Sequence, residues 1–90
     1  MDNVERNKFR ELIEAFSDED MYLVLVSFIS ADTLVDQKSC ENAYELIGEV
    51  MSGIEEADIP EKKKQEWLSY ADKSKKIIEQ ELNNFKSNEQ

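Results

Sequence analysis

The sequence contains no histidine and a single cysteine, Cys40. Histidine is the commonest general base and the commonest metal ligand in proteins, so its absence excludes most hydrolase designs and most metal centres. One cysteine cannot form an internal disulfide, and no histidine is available to lower the pKa of its thiol. We therefore predict that the chain is not an enzyme, that it holds no metal or other cofactor, and that Cys40 is a buried or bystander thiol rather than a catalytic one.

Motifs that bind phosphate or cations are missing as well. There is no glycine-rich phosphate loop and no CxxC pair, and the acidic triplet Asp18 to Asp20 lacks the alternating ligands and central glycine of a calcium loop. A carboxylate-bridged di-iron bundle requires a histidine three residues after a ligand glutamate, which the composition excludes. The many carboxylates therefore indicate an interaction surface rather than a catalytic pair.

Residues that interrupt helices are scarce, since the chain has two glycines, Gly48 and Gly53, and one proline, Pro60. This scarcity favours long helices and an all-α fold. The longest stretch without a charge covers the eleven residues from Met21 to Ala31, too few to span a bilayer. The N-terminus lacks the basic-then-apolar pattern of a signal peptide, so we expect a cytoplasmic protein without a membrane partner.

Acidic residues outnumber basic residues in the chain. The chain has 21 acidic and 11 basic residues, and its formal net charge is −10. Residues 1–59 hold 15 of the acids and 4 of the bases, whereas residues 60–90 hold 6 acids and 7 bases. A basic protein surface is a better partner for the acidic part than nucleic acid or an anionic membrane. The alternative is that acidity only keeps a small protein soluble.

The first two predicted helices meet at a tight turn. Asp2 is the expected N-cap of the first, and its inward stripe consists of Phe9, Leu12, Ile13 and Phe16. Ser17 and Asp20 form a second capping pattern, so the next helix begins there and includes the uncharged stretch from Met21. Because that stretch is apolar on every side, we predict a helix at the centre of the core. Its residue types also favour a strand, but the sequence offers no second strand to pair with.

Residues 32–38 either continue the second helix or form an irregular link pinned to the core by Leu34 and Val35, and we favour the link. Ser39 is the predicted N-cap of the third helix. Gly53 stands where a left-handed C-cap belongs, so we predict that the helix ends there and that an acidic connection follows.

The fourth predicted helix is the longest and runs from Pro60 to about Phe85. Its inward stripe consists of Trp67, Ala71, Ser74, Ile78, Leu82 and Phe85. We expect Tyr70 and Ile77 to widen the buried side and Leu68 to lie off it. The whole pattern predicts a compact, bundle-like four-helix domain over residues 1–86 with a long C-terminal helix, and a disordered tail over 87–90.

One face of the third predicted helix carries glutamates at four-residue intervals, namely Glu41, Glu45 and Glu49. Four residues advance a helix by roughly 6 Å, a spacing comparable to that of phosphates along a nucleic-acid strand. The predicted partner-binding residues are Asp18, Glu19, Asp20, Asp32, Asp36, Glu41, Tyr44, Glu45, Glu49, Glu55, Glu56 and Asp58. Tyr44 and Leu34 are the candidate apolar anchors. The alternatives are an ordinary solvated face for the glutamates and helix capping for Asp18 to Asp20.

The run Leu23-Val24-Leu25-Val26-Ser27-Phe28-Ile29-Ser30-Ala31-Asp32-Thr33, followed by an acidic helix, resembles the first half of the small acidic immunity proteins that neutralise nuclease toxins. That family binds its toxin through a segment containing a pair of tyrosines, and this segment has no counterpart around Ile54 to Pro60. The resemblance implies a four-helix inhibitor of a basic nuclease, with acids of the second and third helices in the interface.

Two hypotheses for function follow. The first is a small non-enzymatic inhibitor or decoy that occludes a basic protein, with nucleases and other nucleic-acid enzymes as candidate targets. The second is a structural, assembly or regulatory subunit that pairs through the fourth helix, whose residues Trp67, Leu68, Tyr70 and Ile77 cover more apolar width than a monomer needs. The sequence leaves open whether the chain is a monomer or a homodimer.

Overall fold

The computed structural model describes the backbone of residues 3–88 and the side chains of residues 8–87. Over these residues the chain forms four helices and no strand: α1 (Asn3–Ala15), α2 (Asp18–Phe28), α3 (Gln37–Glu56) and α4 (Glu61–Asn88). The predicted four-helix fold with a long last helix is confirmed. Asp2, the predicted first N-cap, lies outside the described residues, as do Glu89 and Gln90 of the predicted tail; Ser87 and Asn88 belong to α4.

The helices α3 and α4 form the most extensive contact in the molecule and run antiparallel. The ammonium of Lys64, near the start of α4, donates to the carbonyl of Glu55 at the end of α3 (3.0 Å). Further along α4, the Lys75 ammonium lies 5.0 Å from the ring centroid of Tyr44, in the first half of α3. This pair provides the framework on which α1 and α2 pack.

The turn between α1 and α2 contains only Phe16 and Ser17 and is built as predicted. The Ser17 hydroxyl accepts from the backbone N–H of Asp20 (3.1 Å), and the Asp20 carboxylate accepts from that of Ser17 (3.0 Å). These two bonds satisfy backbone donors that would otherwise be unpaired at the helix start. α1 then packs mainly on α3, whereas α2 packs mainly on α4.

The helix α2 is not the buried centre that its composition predicts. Only Met21 and Leu25 are buried, whereas Tyr22, Leu23 and Val26 are exposed. α2 packs against α4 on one side and touches α3 only weakly, so neighbours cover one stripe rather than the whole circumference. The centre of the core is α3 instead, with the buried residues Cys40, Ala43, Ile47, Val50, Gly53 and Ile54.

Two further apolar residues predicted to face inward are also exposed. Leu12 of α1 is exposed because α1 packs chiefly on α3 and its remaining sides face water. The link between α2 and α3 is irregular, but it runs from Ile29 to Asp36, so α2 stops before Ala31 and does not continue into the link. Only one of the two predicted anchors of the link reaches the core. Leu34 packs against the core cluster, whereas Val35 is exposed.

Both ends of α3 differ from the prediction. Asp36 is the N-cap in place of Ser39, and its carboxylate accepts from the Ser39 backbone N–H at 2.7 Å. α3 continues past Gly53 to Glu56, and no glycine in the described chain has positive φ, so Gly53 is not a left-handed cap. Glycine is required there for space: an added Cβ would lie 2.5 Å from Cδ1 of Ile13.

Five of the six residues in the predicted stripe of α4 are buried, and the sixth, Phe85, is half-buried. The prediction for the residues beside the stripe is wrong. Tyr70 and Ile77 are exposed, whereas Leu68 packs against the core cluster. Leu68 stands seven residues before Lys75, on the side of α4 from which Lys75 reaches Tyr44 of α3. The position of α3, which the spacing within α4 does not reveal, therefore decides which flank is covered.

Two of the three lysines at the start of α4 are hydrogen-bonded to the ends of other helices. The Lys63 ammonium donates to the Phe16 carbonyl (3.4 Å), and the Lys64 ammonium donates to the Glu55 carbonyl (3.0 Å). Phe16 follows α1 and Glu55 ends α3, where unpaired carbonyls carry partial negative charge. These contacts compensate for cations at a helix N-terminus, an unfavourable place for them within α4 alone.

Candidate functional site

An open groove of about 580 Å³ runs along α3 beside α1. Phe9 of α1 forms part of its wall. The α3 residues that line it are Glu45, Gly48, Glu49, Ser52, Gly53 and Glu56. We call this surface the acidic groove, because its three ionisable side chains are all glutamates.

The register of α3 assembles the acidic groove. The residues that line it recur at intervals of three and four, which places them along one side of the helix. The buried residues Ala43, Ile47 and Val50 occupy the opposite side against the core. The same amphipathic pattern that buries α3 therefore also presents the carboxylates of Glu45 and Glu49 to solvent.

The two glycines of α3 shape the groove in different ways. At Gly53, α1 approaches so closely that an added Cβ would lie 2.8 Å from Cε1 of Phe9 and 2.5 Å from Cδ1 of Ile13. This close approach brings Phe9 to the groove wall. At Gly48 an added Cβ would meet no atom within 4 Å, so the groove is open above this part of the helix.

The carboxylates of the acidic groove carry no ion pair with any described side chain. The ion pairs formed by residues 8–87 join Arg10 to Glu14 (3.7 Å) and Lys76 to Asp72 (3.1 Å), both outside the groove. Glu45, Glu49 and Glu56 are exposed. Three like charges along one open surface produce a negative potential that attracts cationic groups.

Three of the predicted partner-binding acids are engaged within the fold. The Asp18 carboxylate accepts from Nε1 of Trp67 (2.8 Å), and Asp20 completes the capping box of α2. Asp36 caps α3, and its hydrogen bond from the Ser39 backbone N–H lowers the pKa of the carboxyl group. These hydrogen bonds give the three acids structural roles.

The remaining predicted residues are spread over the surface. Only Glu45, Glu49 and Glu56 meet in the acidic groove. Tyr44, the predicted anchor, packs against the core cluster with Lys75 above its ring, so little of it is free to anchor a partner. The others are Glu19, Asp32, Glu55 and Asp58, which are exposed outside the groove, and Glu41, whose carboxylate accepts from Gln37 Nε2 (3.3 Å).

Sequence reasoning missed four contributors to the groove, namely Phe9, Gly48, Ser52 and Gly53. Ser52 stands seven residues after Glu45, an interval that returns to the same helix face. The same seven-residue interval from Glu49 crosses Gly53 and would have placed Glu56 on that face. The predicted end of the helix at Gly53 prevented that step.

Cys40 is buried on the side of α3 that faces α4. Burial raises the pKa of its thiol, and the charges of Glu81 and Asp36 raise it further. The thiol is therefore protonated at neutral pH and is a poor nucleophile.

We expect iodoacetamide to alkylate Cys40 about a thousandfold more slowly in the folded chain than in urea at the same pH, because only the small fraction of opened molecules exposes the thiol. Mass spectrometry of timed samples measures the two rates, with free cysteine in each buffer as the control. Similar rates in the folded and unfolded chain would contradict a buried Cys40.

Two kinds of site are not found in the described part of the chain. None of its helices combines the length and hydropathy that crossing a membrane requires. No three acidic or cysteine side chains among residues 8–87 converge as metal ligands would.

Comparison of the chain with protein-family models, with curated proteins and with solved structures returned no match. The likeness to immunity proteins therefore stays a prediction from the sequence. The class supported by the fold is a small all-α domain, and the function has to be inferred from the acidic groove itself.

Proposed function

We propose that the chain is a non-enzymatic binding domain that occludes a basic protein, as an inhibitor or decoy. The observation that carries this proposal is the acidic groove, in which the carboxylates of Glu45, Glu49 and Glu56 line one open side of α3 and form no ion pair with the side chains of residues 8–87. Acids arranged along one side of a helix suit a target that normally binds phosphates, because they present a line of anions to it as a nucleic-acid strand does. Nucleases and other nucleic-acid enzymes are the target class with that chemistry.

The lining of the groove favours arginine and lysine side chains. Gly48 and Ser52 have little or no side chain, so a cationic head group can approach the helix between the glutamates. Phe9 offers an apolar wall along which the aliphatic stem of a lysine or arginine packs. A guanidinium that meets a carboxylate here forms charge-assisted hydrogen bonds, which are about twice as strong as neutral ones.

The remaining acids act at longer range. The net charge of −10 attracts a basic protein before contact and raises the association rate. Exposed acids outside the groove, such as Glu19 and Asp32, contribute to this field. Binding is then expected to be steered by the whole surface and held by the groove.

Neutralising the groove is expected to abolish capture of a basic protein from extracts of the source cell. The variant Glu45→Gln/Glu49→Gln/Glu56→Gln removes three charges from the groove. The matched control removes three charges from exposed sites elsewhere, Glu11→Gln/Glu61→Gln/Glu79→Gln. Tagged chains are incubated with extract and washed in parallel at about 0.1 M and about 1 M salt, where the screening length falls from about 10 Å to about 3 Å.

The proposal is supported if the wild type and the control retain a basic protein at low salt and the groove variant does not. The same protein is then expected to dissociate from the wild type at high salt. Equal retention by the groove variant and the control would overturn the proposal. Gly48→Val supplies a steric test, since it fills the groove without changing charge and is expected to weaken the same capture. Circular dichroism establishes that each variant remains helical.

A further inference from the structure

A second surface carries exposed apolar side chains on two neighbouring helices. Tyr22 of α2 and Tyr70 of α4 are 56% and 48% exposed, and their ring centroids lie 6.4 Å apart in an edge-to-face pair. Val26 follows Tyr22 by one turn and Ile77 follows Tyr70 by two turns, and both are exposed. We call this surface the α2–α4 face. It shares no residue with the acidic groove.

The α2–α4 face is continuous along the molecule because α2 and α4 run in the same direction. Asp18 lies beside Trp67, at a hydrogen-bond distance of 2.8 Å, and one turn later Tyr22 lies beside Tyr70. Val26 therefore falls level with the stretch between Tyr70 and Ile77. The four apolar side chains form one strip rather than isolated exposures.

The size of the strip fits a modest protein interface. A fully buried aromatic side chain covers roughly 150–250 Å², so each half-exposed tyrosine leaves on the order of 100 Å² in water. A standard interface covers about 800 Å² per partner, which requires a polar surround in addition to the strip. α4 supplies it: its 28 residues span roughly 42 Å at about 1.5 Å per residue, close to the 45 Å length of the molecule.

Charge distinguishes α4 from the rest of the molecule. The chain as a whole carries −10, so two copies repel each other over most of their surface. α4 holds seven lysines and five acids and is the helix on which two copies can approach without that repulsion. An acidic partner of another kind would also be attracted to the lysines. However, the acidic and basic residues of α4 are arranged so that they are complementary to those of a second α4.

That match is centred on Tyr70. Glu66 precedes Tyr70 by four residues and Lys73 follows it by three, so all three share one side of α4. Glu66 and Lys73 are exposed, and neither is ion-paired among the described side chains. When two α4 helices cross antiparallel at Tyr70, Glu66 of each copy meets Lys73 of the other. The pairing occurs twice, as an isologous interface requires.

We propose that two copies of this chain associate through the α2–α4 face, with their α4 helices antiparallel and crossing at Tyr70. Tyr22 and Val26 of both copies extend the apolar contact on the side where α2 flanks α4. The interface leaves the acidic groove of both copies free, so the dimer presents two acidic grooves.

The oligomeric state of the full chain tests the proposal. Sedimentation equilibrium over a concentration series is expected to give a mass of about 21 kDa, twice the 10.5 kDa of one chain. Tyr70→Glu is expected to give a monomer, because a charge would be buried in the apolar contact. Val35→Glu is the matched control, since Val35 is 58% exposed on the link between α2 and α3 and its substitution should leave the dimer intact.

Charge exchange tests the antiparallel crossing. Glu66→Lys and Lys73→Glu each place like charges opposite each other, and each is expected to raise the dimer dissociation constant about tenfold or more. The double variant restores opposite charges and is expected to recover the wild-type constant. A folded double variant as weak as either single one would overturn the crossing. A wild-type chain that stays monomeric throughout the series, or a dimer that persists in Tyr70→Glu, would overturn the proposal.

Discussion

Replacing Trp67 by alanine is expected to lower the free energy of unfolding by about 3–5 kcal/mol. The Trp67 side chain is 1% exposed, and its Nε1 donates to the Asp18 carboxylate at 2.8 Å. The Lys63 ammonium lies 4.8 Å from the ring centroid and also donates to the Phe16 carbonyl. Removing the indole therefore loosens the junction of α1, α2 and α4. Urea unfolding monitored by circular dichroism measures the change.

Milder substitutions separate packing from hydrogen bonding at this junction. Trp67→Phe keeps an aromatic ring but loses the N–H donor, so it is expected to cost less than alanine. Asp18→Ala leaves the buried indole N–H unpaired, at a cost of about 1–3 kcal/mol. Glu19→Ala controls for the loss of an acid from the first turn of α2. A Trp67→Ala chain as stable as wild type would show that the junction does not stabilise the domain.

The two glycines of α3 are expected to respond very differently to valine. Gly53→Val should lower the free energy of unfolding by about 3 kcal/mol, the upper range for overpacking, because even its Cβ would lie 2.5 Å from Cδ1 of the buried Ile13. Gly48→Val should be nearly neutral, since its Cβ meets no atom within 4 Å and valine is slightly better than glycine in a helix. The same urea unfolding experiment compares the two variants.

The two variants are also expected to differ in which helix is destabilised. Overpacking at Gly53 pushes α1 away from α3, so hydrogen exchange of α1 amides is expected to accelerate more than that of α4 amides. Gly48→Val is the built-in control because it makes the same chemical change in the same helix. Equal losses of stability at the two positions would contradict the close approach of α1 to Gly53.

Features that depend on a few adjacent residues were predictable from the sequence. Ser17 and Asp20 identified the start of α2 because a capping box involves only neighbouring backbone groups. Pro60 identified the start of α4, and its carbonyl accepts from the Lys64 backbone N–H at 2.9 Å as the helix begins. The buried stripe of α4 was predictable because helical geometry alone sets its spacing.

Features that depend on where another helix lies were not predictable in the same way. The sequence of α2 gives its hydrophobicity, but the number of its covered sides depends on its neighbours, and Tyr22 and Val26 are exposed for that reason. Tyr70 and Leu68 flank the same stripe, and the position of α3 decides which one is buried. Gly53 resembles a cap in sequence, yet α1, distant in sequence, determines its role.

In the candidate site, too, the local spacing of residues was predictable, whereas contacts between distant segments were not. The spacing of Glu45 and Glu49 placed both on one face of α3, where the acidic groove has them. Glu56 belongs to that face only because α3 continues beyond Gly53. Asp18 appeared in sequence as one more surface acid, and its bond to Trp67, 49 residues away, could not be inferred from local pattern.

The pairing of α2 with α4 also governs the order in which the domain can assemble during synthesis. Asp18 and Tyr22 leave the ribosome well before Trp67 and Tyr70, their contacts on α4. Met21 and Leu25 are buried in the folded domain, so their apolar side chains remain exposed to water until α4 has been synthesised. This exposed apolar surface makes the nascent chain prone to aggregation in the interval between the emergence of α2 and that of α4.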